Sequence, residues 1–190
     1  DGIQCEECHG PSSLHIAAPG KIKPEINRFS SACGKCHVRG KSSEIPSTSG
    51  FIKHHEQYNE LLFGSHKKQN CVDCHDPHSK IQAGIKADCA SCHKETAEKY
   101  FRENLHGRSG IGCIECHMPF VSRSAESYDS YIADVRTHLF RINTGESYKM
   151  FSDDGKYAKS ELSVDFACLS CHKSRAKKWA SSHAKGNHKK

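Results

Sequence analysis

The sequence is poor in the side chains that usually build a protein core. Only 35% of its 190 residues are hydrophobic, and it contains a single tryptophan and two methionines. A chain of this composition buries too little apolar surface to offset the entropy lost when its backbone is ordered. We therefore expect a bound group, and not side chains alone, to form the core.

Long apolar runs are also missing from the sequence. No stretch approaches the roughly 20 apolar residues of a membrane-spanning helix, and no secretory signal peptide is recognisable. The sequence therefore predicts no transmembrane segment.

Cysteine and histidine, in contrast, are abundant and regularly spaced. All twelve cysteines fall into six C-x-x-C pairs, each followed directly by histidine, and the pairs are Cys5/Cys8, Cys33/Cys36, Cys71/Cys74, Cys89/Cys92, Cys113/Cys116 and Cys168/Cys171. C-x-x-C-H is the attachment signature of c-type haem, whose vinyl groups form thioethers with the thiols while the histidine ligates the iron. A disulfide framework, a zinc ribbon or a thioredoxin-like motif would leave the six histidines unexplained.

The sequence thus predicts six covalently bound c-type haems, which we number in motif order. The adjacent histidines are the predicted proximal iron ligands: His9, His37, His75, His93, His117 and His172. Six haems on 190 residues leave about 32 residues for each, so the haems themselves are expected to form the core.

The expected fold class is a haem-cored multihaem cytochrome c, mostly irregular coil with a few short α-helices and one small β-hairpin. We expect a single hexahaem domain over residues 1–190, with a haem-free insertion at about 121–167. Patterning predicts helices near 24–33, 51–67, 94–105 and 173–182. The hairpin is predicted in SYKMFSDDGKYAKSEL, around the turn residues Asp153, Asp154 and Gly155.

Nine further histidines compete for the six second axial positions: His15, His54, His55, His66, His78, His106, His138, His183 and His188. His66 and His106 each precede a motif, so they are predicted to ligate the haem that follows. His78 lies three residues after a proximal histidine, so it is predicted to reach a neighbouring haem.

The remaining histidines leave more than one assignment open. His54 and His55 are neighbours, so one of them is expected to bind iron, and we select His55. His15, His138 and His183 complete seven candidates for six irons, so one of the seven is not a ligand. His188 is the weakest candidate, and the two methionines are not expected to bind iron.

An internal repeat gives His183 a specific role. CASCHKETAEKYFRENLHGRSGIGCIECHMP, from Cys89, resembles CLSCHKSRAKKWASSHAKGNHKK, from Cys168, up to the second histidine of each. The first copy continues into a motif that is matched by the N-terminal DGIQCEECHGP. The C-terminal segment of one molecule, followed by the N-terminal motif of another, would therefore have the same order of motifs as the first copy of the repeat.

The repeat therefore predicts that His183 ligates haem 1 of a neighbouring chain. A head-to-tail contact of this kind gives a filament if it does not close into a ring. The alternatives are that His183 ligates a haem in its own chain or that it is a solvated histidine.

The charge of the chain does not point to nucleic acid. Its formal net charge is +6, but six haems would add about twelve propionates, so the holoprotein is expected to be acidic. Thioether attachment takes place outside the cytoplasm, so we expect an exported protein whose signal peptide has been removed. The predicted location is an extracellular filament or the periplasm.

Several stretches resemble motifs that recur in the multihaem c-type cytochrome superfamily: CEECHGPSSLH, CVDCHDPH, LHGRSGIGCIECHMP and WASSHA. The superfamily includes periplasmic decahaem electron conduits, and the head-to-tail repeat makes the chain similar to filament-forming extracellular cytochromes. The resemblance implies low-potential haems with two histidine ligands each, arranged in closely spaced parallel and T-shaped pairs.

Electron transfer, and not enzymatic catalysis, is the predicted function. Two imidazoles on each iron leave no position for a substrate, and no variant C-x-x-C-K motif is present. The expected partners are copies of the chain, upstream donor cytochromes and an extracellular electron acceptor. The alternatives are a multihaem reductase with one open haem, or a monomeric periplasmic shuttle.

Overall fold

A computed structural model describes residues 3–41, 43–80 and 83–185. Its helices are short, and in chain order they are α1 (Glu6–His9), α2 (Ser13–Ala17), α3 (Ser30–Gly34), α4 (Gln57–Phe63), α5 (Cys71–Cys74), α6 (Lys94–Glu103), α7 (Leu105–Arg108), α8 (Cys113–His117) and α9 (Lys177–Ala184). A 3₁₀ turn covers Cys89–Ser91 and a π-helical turn covers Asp165–Leu169. In the parts of the chain that the structure describes, no helix has both the length and the apolar character needed to cross a bilayer.

Helices lie where the sequence predicts them, but they are shorter than predicted. The predicted helix at 94–105 divides at Asn104, whose backbone is extended and whose side chain accepts a hydrogen bond from the His106 amide at 2.9 Å. Asparagine in this role is a helix N-cap, so α7 starts in a new direction. The predicted helix at 51–67 is shortened to α4, because its first residues form a strand.

The strands are β1 (Ile45–Thr48), β2 (Phe51–Lys53), β3 (Phe120–Asp129), β4 (Ile132–Arg136), β5 (Ile142–Asn143), β6 (Tyr157–Ala158) and β7 (Leu162–Ser163). Five of them form a sheet in the order β4-β3-β2-β1-β6, in which only the β2–β3 pair is parallel. β5 and β7 form a separate parallel pair. Phe151 bridges Ala158 across the predicted Asp-Asp-Gly turn, whereas the larger β3–β4 hairpin was not predicted.

A side-chain core lies against this sheet. Its buried members are Ile45, Phe51, Ile52, Val121, Ala133, Leu139, Met150, Leu162 and Phe166. Burying one such side chain contributes about 1.5–3 kcal/mol, so this part of the chain has its own hydrophobic core. The expectation that haems alone take the place of a side-chain core is wrong here, while the expected class of short helices, small sheet and coil is confirmed.

Candidate haem sites

Each C-x-x-C-H motif forms one helical turn. In five motifs the histidine amide donates to the carbonyl of the first cysteine at 2.9 Å, and the pairs are His9–Cys5, His37–Cys33, His75–Cys71, His93–Cys89 and His172–Cys168. The sixth motif is α8 itself. Residues four apart on a helix share one face, so each turn presents a thiol and an imidazole to the same side, as covalent haem attachment requires.

Five proximal histidines each face a second histidine. The ring centroids are 6.0 Å apart for His9–His78, 5.9 Å for His37–His55, 6.1 Å for His75–His138, 5.9 Å for His93–His66 and 5.8 Å for His172–His106. A metal–imidazole bond is about 2 Å long and the ring centroid lies about 1 Å behind the nitrogen, so two imidazoles on one metal have centroids about 6 Å apart. The five distances therefore match an iron held between two histidines.

The facing pairs differ in part from the ligands expected from sequence. His66 and His106 were predicted to serve the motifs that follow them, at Cys71 and Cys113, but they face the histidines of haems 4 and 6. Each reaches past the nearest motif to a histidine further along the chain. For His106 the cause is local, because the Asn104 cap starts α7 in a new direction.

Three other candidates occupy distinct positions. His55 faces His37, while the neighbouring His54 has its Nδ1 atom 3.1 Å from Ser124 Oγ. His78 faces His9, where the sequence-based hypothesis placed His183 of another chain. Its turn is fixed by Asp76, which accepts hydrogen bonds from the His78 amide at 3.0 Å and from Ser79 Oγ at 2.6 Å.

His15 and His183 lie outside the five facing pairs formed among described residues. The Nδ1 atom of His15 lies beside the Ile22 carbonyl. The His183 ring stacks on Trp179 at 4.5 Å with its Nδ1 atom 2.8 Å from the Trp179 carbonyl, and Trp179 in turn lies 4.8 Å from His172. His188 lies outside the described residues.

Backbone carbonyls set the protonation of several ligands. The Nδ1 atoms of His9, His117 and His55 lie 2.8, 2.7 and 3.3 Å from the carbonyls of Glu25, Phe140 and Cys36. A carbonyl only accepts hydrogen bonds, so Nδ1 carries the proton in each ring. The lone pair then lies on Nε2, which is the arrangement of a histidine prepared to bind a metal.

Burial keeps other ligands neutral. It lowers the pKa of His138 to about 4, with a further contribution from the positive charges that His75 and His37 would carry. Burial likewise lowers the pKa of His75 and of His66. A hydrogen bond between His138 and the backbone of Arg136 opposes the lowering of the His138 pKa but does not cancel it.

The cysteines place the six motifs in spatial order. Burial and the nearby Cys71 and Cys8 raise the pKa of Cys33 to about 11, and Cys33 and Cys71 share a hydrogen bond. Burial raises the pKa of Cys74, Cys89 and Cys116, and a thiol of the next motif contributes to each shift: Cys92, Cys113 and Cys171 respectively. A cysteine that is attached to haem is a thioether and does not titrate. The pKa shifts are therefore used only as a sign that thiols of successive motifs lie near one another. Motifs 1 to 6 follow one another in space as they do along the chain.

The polypeptide fits a large apolar cofactor. None of the twelve cysteines forms a disulfide, and large apolar side chains beside the motifs are exposed on the polypeptide surface, among them Leu14, Ile16, Phe29 and Leu105. Apolar surface of this extent marks a binding site. The residues present therefore fit c-type haem.

Two functional residues were not found from sequence. The Arg136 guanidinium donates to the carbonyls of Met118 and Ile114 and to Glu115, so it ties β4 to the motif of haem 5. The Phe140 ring lies 4.3 Å from His66, and its carbonyl accepts from His117. Neither residue belongs to a motif, so no local signal in the sequence identifies it.

Known proteins resemble this chain in sequence and in structure. No protein-family model matches the chain. The dissimilatory sulfite reductase MccA of Wolinella succinogenes is 24% identical over 201 residues, which is 78% of this chain and 27% of that protein. The chain thus spans about a quarter of the length of this relative.

Two solved structures have the same fold. The octahaem sulfite reductase MccA of Wolinella succinogenes matches 88% of this chain and 34% of its own, with a TM-score of 0.64 and 22% identity. The outer cell wall cytochrome OcwA matches 96% of this chain and 56% of its own, with a TM-score of 0.54 and 17% identity.

These matches correct one prediction and confirm another. The prediction that the chain is not an enzyme is contradicted, because the curated relative is a reductase. The resemblance to cytochromes is confirmed by both the sequence and the structural matches. The chain thus resembles multihaem c-type cytochromes in sequence and in fold.

Proposed function

We propose that the chain holds six c-type haems and passes electrons along them in motif order. The observation that supports this most strongly is the set of five facing histidine pairs at 5.8–6.1 Å. An iron between two imidazoles exchanges electrons without binding a substrate. The haem carries the redox change, while the protein supplies ligands, spacing and a low dielectric constant.

The contacts between motifs support a continuous path. Cys33 lies beside both Cys8 and Cys71, and Cys116 lies beside Cys171. Haems attached at neighbouring thiols lie close to one another, so electrons can hop from each to the next. The proposed path has haem 1 at one end and haem 6 at the other.

The ring orientations predict two classes of ferric haem signal. The interplanar angles are 17°, 18° and 33° for haems 1, 2 and 3, but 82° and 84° for haems 4 and 6. Two iron d orbitals overlap with the π systems of the imidazole ligands. Nearly parallel imidazoles raise the energy of one of these orbitals and so separate the two. Perpendicular imidazoles raise both orbitals by the same energy.

Electron paramagnetic resonance of the oxidised holoprotein should therefore show two groups of low-spin signals. We expect rhombic signals from haems 1 to 3 and signals with a large principal g value from haems 4 and 6. The haem content, measured by mass spectrometry of the intact chain, should be six. A spectrum with a single class of signal would contradict the ligand pairs.

A reductase function is a second proposal, supported by the match to a sulfite reductase. If each of the five facing pairs holds one iron, its two imidazoles would leave no position for a substrate, so a reducing iron would lie outside these pairs and receive electrons from them. The chain covers about a quarter of that relative, so the reducing iron can also belong to a part of a longer protein.

Carbon monoxide titration of the reduced holoprotein tests how many irons are open. We expect at most one equivalent bound per six haems, because imidazoles close five of them. An assay of sulfite-dependent oxidation of a reduced dye, run on the same material, shows whether an open iron reduces sulfite. Two or more equivalents of carbon monoxide would contradict the proposed ligation.

Location and partners complete the proposal. Covalent haem attachment implies export, and donor cytochromes and an extracellular acceptor would stand at the two ends of the haem path. We still propose a filament, but without His183 as the second ligand of haem 1. His78 faces His9, so haem 1 does not need a ligand from another chain. His183 is exposed beside Trp179 and haem 6, where it could bind a group on another copy.

A further inference from the structure

One four-residue segment contacts the iron ligands of three haems. Residues 137–140 lie between β4 and β5, outside every C-x-x-C-H motif. Within this segment, His138 faces His75 of haem 3 at 6.1 Å. The Phe140 carbonyl accepts a hydrogen bond from the proximal ligand of haem 5 at 2.7 Å, and its ring lies 4.3 Å from the His66 ring at haem 4.

A buried carboxylate on α4 holds this segment. Glu60 has no solvent exposure and accepts hydrogen bonds from Thr137 Oγ1 at 2.6 Å and from the backbone amide of His138. Ser122 Oγ on β3 donates a third hydrogen bond at 2.9 Å. The carboxylate therefore links α4, the sheet and the backbone of a haem ligand.

The end of α4 also packs against the segment. A Cβ atom added at Gly64 would lie 2.7 Å from the Glu60 carbonyl and 3.1 Å from the carbonyls of His138 and Leu139. Any residue other than glycine would push the segment away from the helix. Close backbone approach explains why this position takes glycine.

The segment is held in an unfavourable backbone conformation. Phe140 has a φ of 64°, in the left-handed region that bulky residues avoid. Such a conformation persists where the surroundings determine it. Here it directs the carbonyl to His117 and the ring to His66, so the contacts around Glu60 fix more than one ligand.

We propose that Glu60 is a positioning residue, which fixes residues 137–140 and thereby the axial ligation of haem 3 and the imidazole orientation at haems 4 and 5. This inference rests on the proposed function, because it takes His75 and His138 as ligands of one iron. Groups that hydrogen-bond around a metal ligand change metal affinity by about 10- to 100-fold when they are removed. Glu60 acts through the backbone amide of the ligand and not through its ring.

Replacing Glu60 by glutamine tests the inference in the holoprotein. The amide keeps the shape but offers one acceptor oxygen for three donors. We expect the fraction of haem 3 that has lost His138 to rise about 10-fold or more, which appears as a high-spin signal, an extra equivalent of carbon monoxide bound after reduction, and a more positive potential for that haem.

Glu56→Gln is the matched control. Glu56 lies one helical turn earlier and is equally buried, but its partners are the amides of Arg39 and Gly40 and the side chain of Asn59. None of these partners belongs to residues 137–140. Loss of a buried carboxylate is thus common to both variants, and only Glu60→Gln should change the spectrum of haem 3.

A second variant separates the inference from the ligand assignment. His138→Ala should by itself give one high-spin haem, and Glu60→Gln should not increase the high-spin signal of haem 3 in that background, since both act on the same bond. If His138→Ala leaves haem 3 low-spin, the proposed ligation fails and the inference fails with it. If His138→Ala gives the high-spin haem but Glu60→Gln matches the wild type, the inference alone is overturned.

Two milder variants test the same inference if Glu60→Gln does not fold. Thr137→Val removes one hydrogen bond to the carboxylate, and Gly64→Ala displaces the segment without removing any polar group. Either should raise the high-spin fraction of haem 3. Unchanged spectra in both would overturn the inference.

Discussion

Replacing both Cys71 and Cys74 by alanine should disconnect the two ends of the protein. In the proposed path haem 3 lies between haems 2 and 4, because Cys33 and Cys71 share a hydrogen bond and Cys92 contributes to the raised pKa of Cys74. Electron tunnelling rates fall exponentially with distance, so loss of the middle haem should slow transfer between the ends by more than an order of magnitude. The intact mass should fall by one haem.

The rest of the fold should survive this change. The α5 turn has a capping box in which the Asn70 amide donates to Asp73 at 2.7 Å, and Ser30 Oγ accepts from the Cys71 amide at 3.1 Å. These bonds involve no thiol, so the backbone of the motif keeps its supports. The side-chain core against the sheet contains none of the motif residues.

Flash photoreduction measures the effect. A ruthenium photosensitiser tethered at residue 185, next to haem 6, injects an electron, and the time course of haem absorbance follows its spread. The matched control is the double variant of Cys5 and Cys8, which also loses one haem but keeps motifs 2 to 6 connected to the injection site. Equal transfer rates among the remaining haems in the two variants would show that the path does not pass through haem 3.

The helical turn of each C-x-x-C-H motif was predictable from the sequence because its geometry is local. A thiol, a second thiol and an imidazole within five residues form one helical turn with its reactive groups on one side, whatever surrounds it. The second histidine of each facing pair, in contrast, comes from a part of the chain outside the motif that it faces. His66 lies five residues before Cys71, yet it faces the histidine of the motif that begins at Cys89, and no spacing rule in the sequence indicates this.

The sheet escaped prediction because its strands carry little pattern. β3 runs for ten residues, but only Val121 and Ser122 are buried, and they are adjacent instead of alternating. Strands are recognised by alternation of apolar and polar residues. β3 is held by backbone pairing with β2 and β4. It does not have the alternating apolar residues that would identify it in the sequence.

Glu60 was hidden for a different reason. A glutamate in an amphipathic helix is normally assigned to the solvent side. Its partners Ser122 and Thr137 are 62 and 77 residues away along the chain, so the hydrogen bonds that make burial acceptable are visible only in the fold. Asn59 beside it is also buried, and its side-chain amide donates to the carbonyls of Lys41 and Glu44 and to Glu56.

Replacing His78 by alanine should open the iron of haem 1 within a single chain. The structure places His78 opposite His9 at 6.0 Å, so its loss removes one of two imidazoles. We expect one high-spin haem, one additional equivalent of carbon monoxide after reduction and a more positive potential for haem 1. Electron paramagnetic resonance and carbon monoxide titration of the holoprotein measure these changes.

His183→Ala is the informative comparison, and His15→Ala is the control for a histidine outside the facing pairs with a similar carbonyl contact. Neither should alter haem 1, and the spectrum of the His78 variant should not depend on protein concentration. The head-to-tail hypothesis drawn from the internal repeat requires the opposite result. In that case His183→Ala would open haem 1, and dilution would reproduce the effect by separating neighbouring chains. The ligand of haem 1 thus decides whether the haem path ends inside one molecule or continues into the next.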